Sequence, residues 1–320
     1  MQRVLVVGAT GQLGAAVIPL LIARSCSVRA LARTSEAAQK LASQGVEALF
    51  GDLTDRPSLE LCCKGVDTIV ATATATVPTH KSDTVSAVDD VGYRNLVAAA
   101  VHQGVRRFVF VSVPLAGSAT PQAAVFAYKR RTENLLLESG MEVVILRTDA
   151  FMDVQFAFMG SDIPVRGSDS ATVLRPFAIR TFNSIRNSIQ QKHVVLITGS
   201  GRSRHAFIAL QDVASYCAFA ACSQILGVFD LGGPEALSFL EVVQLYERLL
   251  GITLKVRRTP ATVVRLAGLV LQPFNPALAE LMRLTYSIAV EDGITHPETA
   301  AAFGIPCQTA EQFLSAKLAL

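Results

Sequence analysis

Apolar and polar positions follow a regular order along the first half of the chain. Short apolar runs of strand length, rich in β-branched residues, occur six times: Val4–Val7, Ser27–Ala32, Val46–Phe50, Asp67–Ala71, Arg107–Ser112 and Glu142–Arg147. Segments of helical length separate these runs: Ala15–Ala23, Glu36–Ser43, Pro57–Cys63, Val85–Gln103 and Gln122–Glu138. Because strands that alternate with helices form parallel sheets with right-handed crossovers, the pattern predicts an α/β fold with a doubly wound parallel sheet. A ligand of such a sheet binds beyond the carboxyl ends of the strands, at the switch point between the first and the fourth.

The pattern becomes irregular after Phe151. The stretch Met152–Arg175 contains Gly160, Pro164 and Gly167, and it predicts a long loop of the kind that forms substrate walls. Further helices are predicted at Pro176–Gln191, from Phe207 to about Cys222, at Ser238–Leu250 and through most of the remainder to Leu320. Further strands are predicted at Val194–Thr198, Val228–Leu231 and Thr253–Arg257. We expect residues 1–154 with 194–232 to form the sheet domain, and residues 155–193 with 233–320 to form a smaller, mostly helical substrate domain.

Three glycines, spaced three residues apart, follow the first apolar run directly in Gly8-Ala-Thr-Gly11-Gln-Leu-Gly14. The first glycine permits the tight turn, the second lets the backbone approach a pyrophosphate, and the third lets the helix pack on the strand. The unpaired N–H groups and the dipole at the start of the helix favour the negative charge of phosphate. We predict that a dinucleotide contacts this turn through Gly8, Thr10, Gly11, Gln12, Leu13 and Gly14. The alternative is a strand, turn and helix without a ligand.

The residues that follow the second, third and fourth runs predict the cofactor and its contacts. Arg33 follows the second run, at a place where an acidic residue favours NAD and a basic one pairs with the 2′-phosphate of NADP. We therefore predict NADP(H) in preference to NAD(H), the alternative being that Arg33 is an ordinary surface arginine. Asp52 and Leu53 follow the third run and are predicted to contact the adenine. Ala71 and Thr72 lie at the end of the fourth, where small residues let the backbone pass close to the dinucleotide.

Two residues near the predicted crevice have the chemistry that reduction of a carbonyl needs, a proton donor near the substrate oxygen and an anchor for the nicotinamide ribose. Ser112 ends the fifth run, so we predict that its hydroxyl binds the substrate oxygen. Lys129 lies on the next helix and is predicted to bind the ribose hydroxyls and to polarise the substrate or relay a proton. The alternative is that Lys129 belongs to a solvated Lys-Arg-Arg run. The histidines and cysteines lack metal-ligand spacing, so no metal site is predicted.

With these motifs the chain resembles the short-chain dehydrogenase/reductase superfamily, in its atypical, NmrA-like or extended branch. Three features carry the resemblance: the motif from Gly8 to Gly14, Lys129 with Glu133 ahead of the strand that ends in Arg147, and Phe207-Ile-Ala-Leu-Gln-Asp212-Val-Ala. The resemblance implies a Rossmann domain that binds NAD(P)(H) and a smaller C-terminal substrate domain.

The chain departs from this resemblance at the catalytic tyrosine. Typical members carry that tyrosine four residues before the lysine, where this chain has Val125. Tyr128 adjoins Lys129 but lies about 100° around the helix from it, so it does not replace the missing side chain. Arg147-Thr148 likewise stands where the family frequently has Arg-Pro.

The predicted function is an NADPH-dependent reductase of a small carbonyl or unsaturated substrate. The alternative, which Val125 favours, is an NmrA-like nucleotide-sensing regulator or assembly factor without turnover. A third possibility is a sugar-nucleotide epimerase or dehydratase, which ordinarily requires the tyrosine.

The overall composition narrows the partners. Charged residues are 17% of the chain and its net charge is only +3, which predicts no nucleic-acid partner. Hydrophobic residues are 51%, which predicts apolar surface at a homo-oligomer interface or against a membrane. For the apolar segment Val263–Phe274 we predict core packing, the alternative being docking of a partner, a second copy or lipid. For the basic Lys255, Arg257 and Arg258 we predict a solvated face, the alternative being recognition of an anionic substrate or a membrane surface. No apolar run reaches the ~18 residues of a spanning helix. The sequence therefore predicts a cytoplasmic protein that binds a dinucleotide and an unknown small molecule, with peripheral membrane contact left open.

Overall fold

The computed structural model describes residues 1–76, 83–114, 123–161, 185, 188–294 and 302–318. Its main element is a seven-stranded sheet whose strands are β1 (Arg3–Val7), β2 (Ser27–Ala32), β3 (Glu47–Phe50), β4 (Thr68–Ala71), β5 (Arg107–Ser112), β6 (Glu142–Thr148) and β9 (Gly227–Leu231). The strand order is β3-β2-β1-β4-β5-β6-β9, and the neighbours from β3 to β6 pair in parallel. This confirms the doubly wound sheet and the switch point between β1 and β4.

The helices that cover the sheet lie within three residues of their predicted bounds, with one exception. They are α1 (Gln12–Ala23), α2 (Ser35–Ala42), α3 (Arg56–Cys63), α4 (Tyr93–His102) and α5 (Ala124–Leu137). The exception is the segment predicted as a single helix over Val85–Gln103, because a π-helical stretch, Ser86–Gly92, precedes α4. Asp89 on this stretch accepts a hydrogen bond from the backbone N–H of Ala75 at 2.9 Å. Gly92 lets the stretch pack against Leu53, whose Cβ would lie 2.9 Å from a Cβ at position 92.

A second group of elements follows β6. It comprises α6 (Met152–Phe158), α7 (Ser188–Lys192), β7 (Val194–Thr198), β8 (Arg204–His205), α8 (Leu210–Cys222), β10 (Leu237–Ser238), α9 (Phe239–Leu250), β11 (Lys255–Thr259), α10 (Ala261–Leu271), α11 (Pro276–Val290) and α12 (Ala310–Leu318). A capping box is present at the start of α9, which begins one residue after its predicted start, and Ser238 and Glu241 cap each other's backbone there. In the described ranges, no helix has the length and apolar character needed to cross a bilayer.

Two predicted segments in this part of the chain do not begin as expected. Met152–Arg175 does not begin as a loop, because Phe156 on α6 packs against the rings of Phe207 and Phe313 at 5.5 and 6.0 Å, and this apolar face stabilises a helix. Residues 162–175 and most of the helix predicted at Pro176–Gln191 lie outside the described residues. The strand predicted at Thr253–Arg257 begins two residues later, since its register follows β7, with Lys255 opposite Val194.

The chain forms two compact units. The first contains Met1–Val113, Val125–Arg147 and Val213–Phe229; the second contains Pro114–Ala124, Thr148–Asp212 and Asp230–Leu320. The predicted division placed residues 194–212 with the first unit, whereas β7 pairs with β11 in a separate two-stranded sheet of the second. Each unit has its own apolar core, one around Leu5, Ile69 and Phe108, the other around Phe156, Phe207 and Tyr246.

Candidate functional site

The turn after β1 has no room for side chains at two of its glycines. Gly8 has φ +92°, and a Cβ there would lie 2.7 Å from both the backbone nitrogen of Ala73 and Oγ1 of Thr72. A Cβ on Gly14 would overlap the carbonyl oxygen of Gly8, so α1 packs directly on the turn. Thr72 fixes the same point from the other strand, since its N–H and its hydroxyl both donate to the carbonyl oxygen of Val7, at 2.9 and 3.2 Å. Gly8 thus has the positive φ of the predicted turn, and Gly14 allows the predicted close packing of the helix.

The first turn of α1 begins at Gly11, which is the N-cap in an extended conformation. Among the residues that the structure describes, no side chain caps it, and the first turn contains no acidic residue. Thr10 and Gly11 are exposed and Gln12 is half-buried, while the side chain of Leu13 is buried. The first N–H groups of a helix have no partner within it, and they carry its positive dipole end. An uncapped, exposed helix start beside a glycine cradle fits the charge and shape of a pyrophosphate.

Arg33 is held between two carboxylates at the end of β2. Its Nη1 lies 2.7 Å from Oδ1 of Asp83 and 3.8 Å from Oδ2 of Asp52. The Arg33 side chain remains 34% exposed, whereas Asp83 is buried. Sequence reasoning found Arg33 and Asp52 but missed Asp83, which is fifty residues away and follows no strand. Leu53, predicted beside them, has its side chain in the apolar core, and its carbonyl oxygen accepts a hydrogen bond from the side chain of Asn95 at 3.2 Å.

Lys129 is buried on α5, and the carbonyl oxygen of Val111 accepts a hydrogen bond from its Nζ at 3.0 Å. Nζ also lies 3.8 Å from Oδ1 of Asp89, and 4.7 and 5.3 Å from the ring centres of Phe110 and Tyr93. Burial lowers the pKa of the Lys129 amino group, and the charge of Asp89 opposes this effect. The solvated Lys-Arg-Arg alternative is therefore wrong for Lys129, whose side chain is only 6% exposed.

Asp89 is a site residue that sequence reasoning missed. Burial raises the pKa of its carboxyl group, and the charge of Lys129 opposes this effect. Within the described ranges, Oδ1 of Asp89 has no hydrogen-bond partner, while Oδ2 accepts from Ala75. The sequence did carry a signal: Asp89 is four residues from Val85 and four from Tyr93, both buried, so a carboxylate stands on the apolar face of the predicted helix.

Ser112 is also buried, and its hydroxyl donates to Oε1 of Glu133 at 2.5 Å. Arg147 and Arg130 both form ion pairs with the same Glu133 carboxylate, Arg147 at 2.7 Å. The hydroxyl proton of Ser112 is thus committed to Glu133. This network links the end of β5 to α5 and β6, and it was not visible in the sequence because it joins three elements.

The position of the usual catalytic tyrosine is apolar and closed. Val125 is only 1% exposed, on the first turn of α5. Tyr128 is half-buried, and the guanidinium of Arg131 lies 5.5 Å from its ring centre. Among the described residues, no cluster of three or more His, Cys, Asp or Glu side chains is arranged to hold a metal ion.

A parallel sheet in this strand order, with a three-glycine turn after its first strand, defines a Rossmann-type α/β protein. The family model described as the NmrA-like family matches residues 1–298, and the chain belongs to that family. A curated relative, the photosystem II assembly factor Ycf39 of Cyanophora paradoxa, is 29% identical over 271 residues, which cover 83% of this chain and 74% of that protein.

Solved structures of reductases have the same fold. Triphenylmethane reductase of Citrobacter sp., complexed with NADP(H), matches with a TM-score of 0.74 and 20% identity, over 98% of this chain and 99% of that one. The NADPH-dependent quinone oxidoreductase QOR2 of Escherichia coli, complexed with NADPH, matches with a TM-score of 0.73 and 18% identity over the same shares. At these identities the likeness is one of fold.

Proposed function

We propose that this protein binds NADP(H) and is a reductase of a small carbonyl or unsaturated substrate. The observation that carries the proposal is the cradle in which Gly8 and Gly14 leave no space for a Cβ beside an uncapped helix start. The backbone N–H groups of Gln12, Leu13 and Gly14 hold the pyrophosphate, and Thr10 and Gly11 border it. When bound, the cofactor supplies the hydride; the protein supplies binding, orientation and proton transfer.

The preference for the phosphorylated cofactor rests on Arg33. Its guanidinium is the basic group at the end of β2, and its partial exposure leaves it accessible to a 2′-phosphate. Asp83 orients Arg33 but also neutralises part of its charge, so a 2′-phosphate competes with this carboxylate. Asp52, with a longer contact of 3.8 Å, is the partner that yields more easily, and it borders the adenosine together with Leu53, Ala71 and Thr72.

In the proposed reaction Lys129 holds the ribose and transfers a proton toward the substrate oxygen. Its burial supports this role, because an amino group with a lowered pKa releases its proton more readily near neutral pH than a solvated lysine does. Ser112 keeps a more limited role than expected. Because its hydroxyl donates to Glu133, it offers the substrate only a lone pair. It becomes a donor to the substrate only if the hydroxyl turns away from Glu133, whose carboxylate keeps its ion pair with Arg147.

A second candidate is an assembly factor or nucleotide-sensing regulator without turnover. Val125 favours it, because the closed apolar position has no acid or base in place of the tyrosine. The name of the Ycf39 relatives, photosystem II assembly factor, is consistent with this candidate. The epimerase or dehydratase alternative is disfavoured, since that chemistry ordinarily requires the missing tyrosine. The cytoplasmic location and the homo-oligomer stay predictions.

The test is a titration of the purified chain with NADPH and NADH, followed by a panel of carbonyls, quinones and triphenylmethane dyes. We expect tighter binding of NADPH and its oxidation with at least one member of the panel. Binding without oxidation across the panel favours the second candidate. Absence of binding to either nucleotide contradicts both.

A further inference from the structure

The helix α10 carries an apolar face on its solvent side. Four large apolar residues of α10 and one in the turn that follows it form this face. Their exposed fractions are 52% for Val263, 60% for Leu266, 56% for Leu269, 66% for Val270 and 83% for Phe274. The opposite side of α10 packs on α11, where Gly268 brings the backbones together; a Cβ there would lie 3.3 Å from the carbonyl oxygen of Ala279. A helix that is apolar on both sides normally has a partner on each. The face defined by these five residues is here called the α10 apolar face.

The segment around this face is basic and has no acidic residue. Residues 252–279 contain Lys255, Arg257, Arg258 and Arg265, and neither Asp nor Glu. All four basic side chains are exposed, and Pro260 alone separates the basic strand β11 from α10. In the part of the chain that the structure describes, none of the four takes part in an ion pair. Their charge is therefore available to an acidic partner.

We propose that the α10 apolar face and its four basic residues form a peripheral docking surface for an anionic lipid membrane. Apolar side chains enter the boundary between headgroups and acyl chains, while Lys and Arg bind acidic headgroups. Charge complementarity favours this occupant over a second copy of the chain. A two-fold interface through this face would bring two sets of four like charges together, with no carboxylate from the segment to pair them. The helix has eleven residues, so it lies in the interface and does not cross it.

Tryptophan fluorescence gives a direct test, because the chain contains no tryptophan. Phe274→Trp introduces a single reporter at the α10 apolar face, and Phe50→Trp, at a position 74% exposed in the first unit, is the matched control. With vesicles of phosphatidylcholine and phosphatidylglycerol we expect the emission of Phe274→Trp to shift to the blue, and that of Phe50→Trp to stay unchanged. Vesicles of phosphatidylcholine alone should give a much smaller shift, and added salt should weaken the binding.

Vesicle co-sedimentation of the full chain separates the apolar and basic contributions. Leu266→Ser with Val270→Ser should weaken binding to the anionic vesicles about tenfold or more, since it removes two inserted side chains. The control, Leu61→Ser with Leu137→Ser, changes residues that are 68 and 57% exposed elsewhere and should bind as the wild type does. Arg257→Glu with Arg258→Glu should also weaken binding to the anionic vesicles about tenfold or more. Lys192→Glu with Arg202→Glu, which changes the same charges elsewhere in the second unit, should weaken that binding much less.

Thermal unfolding shows whether each variant is folded, and sedimentation without lipid gives its oligomeric state. The proposal is overturned if the wild type does not prefer anionic vesicles, or if the control variants lose as much binding as the test variants. It is also overturned if the wild type is a dimer without lipid that Leu266→Ser with Val270→Ser converts to a monomer, because the face is then covered by a second copy. None of these results depends on nucleotide binding.

Discussion

The amino group of Lys129 lies 3.8 Å from the carboxylate of Asp89, and both side chains are buried beneath the end of the central sheet. The two groups are chemically coupled. Burial disfavours the charged form of each, and each charge favours that of the other. The unpartnered Oδ1 of Asp89 faces the lysine, on a π-helical stretch of a kind that often occurs at functional sites. Substitution of either residue therefore tests the role of this pair.

Lys129→Met should abolish most of the reductase activity while leaving nucleotide affinity within a few-fold. Methionine fills a similar volume but has no proton to transfer, and a lost general acid typically costs about 10²- to 10⁴-fold in kcat. Steady-state kinetics with the best substrate of the panel and a parallel NADPH titration measure the two effects. Lys64→Met, at an exposed lysine, is the control. An unchanged kcat would remove Lys129 from the mechanism.

Asp89→Asn should move the alkaline limb of the kcat–pH profile to lower pH. The negative charge of Asp89 raises the pKa of Lys129 against the effect of burial, so its removal lowers that pKa further. Lys129 then loses its proton at a lower pH, and activity declines earlier as pH rises. Asp89→Glu, which keeps the charge, should shift the alkaline limb less than Asp89→Asn does. A loss of activity without any change in the profile would indicate a purely structural role.

The strands were predictable from the sequence because parallel strands buried on both faces are continuous apolar runs, as in Val4–Val7 and Arg107–Ser112. The turn after β1 was predictable because its three glycines lie in one short stretch, whereas the contacts of Gly8 with Thr72 and Ala73 come from residues that follow a different strand. The contacts of Asp83 with Arg33 and of Glu133 with Ser112 were not predictable, since the packing of different elements brings these residues together. The helix α6 was missed because its stabilising contacts, Phe207 and Phe313, are distant in sequence.

Gly8→Ala should impair nucleotide binding and stability more than a positive φ angle alone explains. Gly45 provides the matched control: it has φ +78°, but no atom lies within 4 Å of an added Cβ, whereas Gly8 has φ +92° and the contacts at 2.7 Å. Gly45→Ala should cost about 1 kcal/mol from backbone strain. Gly8→Ala should cost more and also displace the turn from Ala73. Urea unfolding and NADPH titration measure both. Equal effects of the two substitutions would contradict the cradle.

Arg33→Ala should lower NADPH affinity about tenfold or more and leave NADH affinity unchanged, because only NADPH carries the 2′-phosphate. Asp83→Asn should change NADPH affinity in the opposite direction. It keeps the shape and a hydrogen bond to Arg33 but removes the carboxylate that competes with the phosphate, so NADPH affinity should rise several-fold. In an Arg33→Ala background the Asp83→Asn effect should largely disappear. Equal loss of both nucleotides in Arg33→Ala would contradict the assignment.

The second unit should lose stability as pH rises above neutrality, through His205. Its Nδ1 lies 3.1 Å from Oδ1 of Asp149 and its Nε2 lies 2.8 Å from the carbonyl oxygen of Ile288. Because both oxygens are acceptors, both bonds exist only when the imidazole carries two protons. Burial lowers the pKa of His205, but the hydrogen bond and charge of Asp149 outweigh it, so the pKa is raised above 6.5. The stabilisation is therefore complete below about pH 6.5 and is lost as pH rises through the raised pKa.

The free energy of unfolding, measured in urea from about pH 6 to about pH 9, should fall for the wild type by about 2 kcal/mol relative to His205→Gln. Glutamine has no proton to lose in this pH range. Both proteins contain the buried Asp153 and Asp212, so the titration of these two groups cancels when one unfolding free energy is subtracted from the other. His102→Gln, at a histidine 63% exposed, should follow the wild type. Asp149 also accepts hydrogen bonds from the backbone N–H groups of Ala206 and Ile294. A substitution of Asp149 would therefore combine the loss of the His205 interaction with the loss of these backbone hydrogen bonds. A wild-type curve parallel to that of His205→Gln would show that folding leaves the pKa of the imidazole unchanged, which would contradict the prediction.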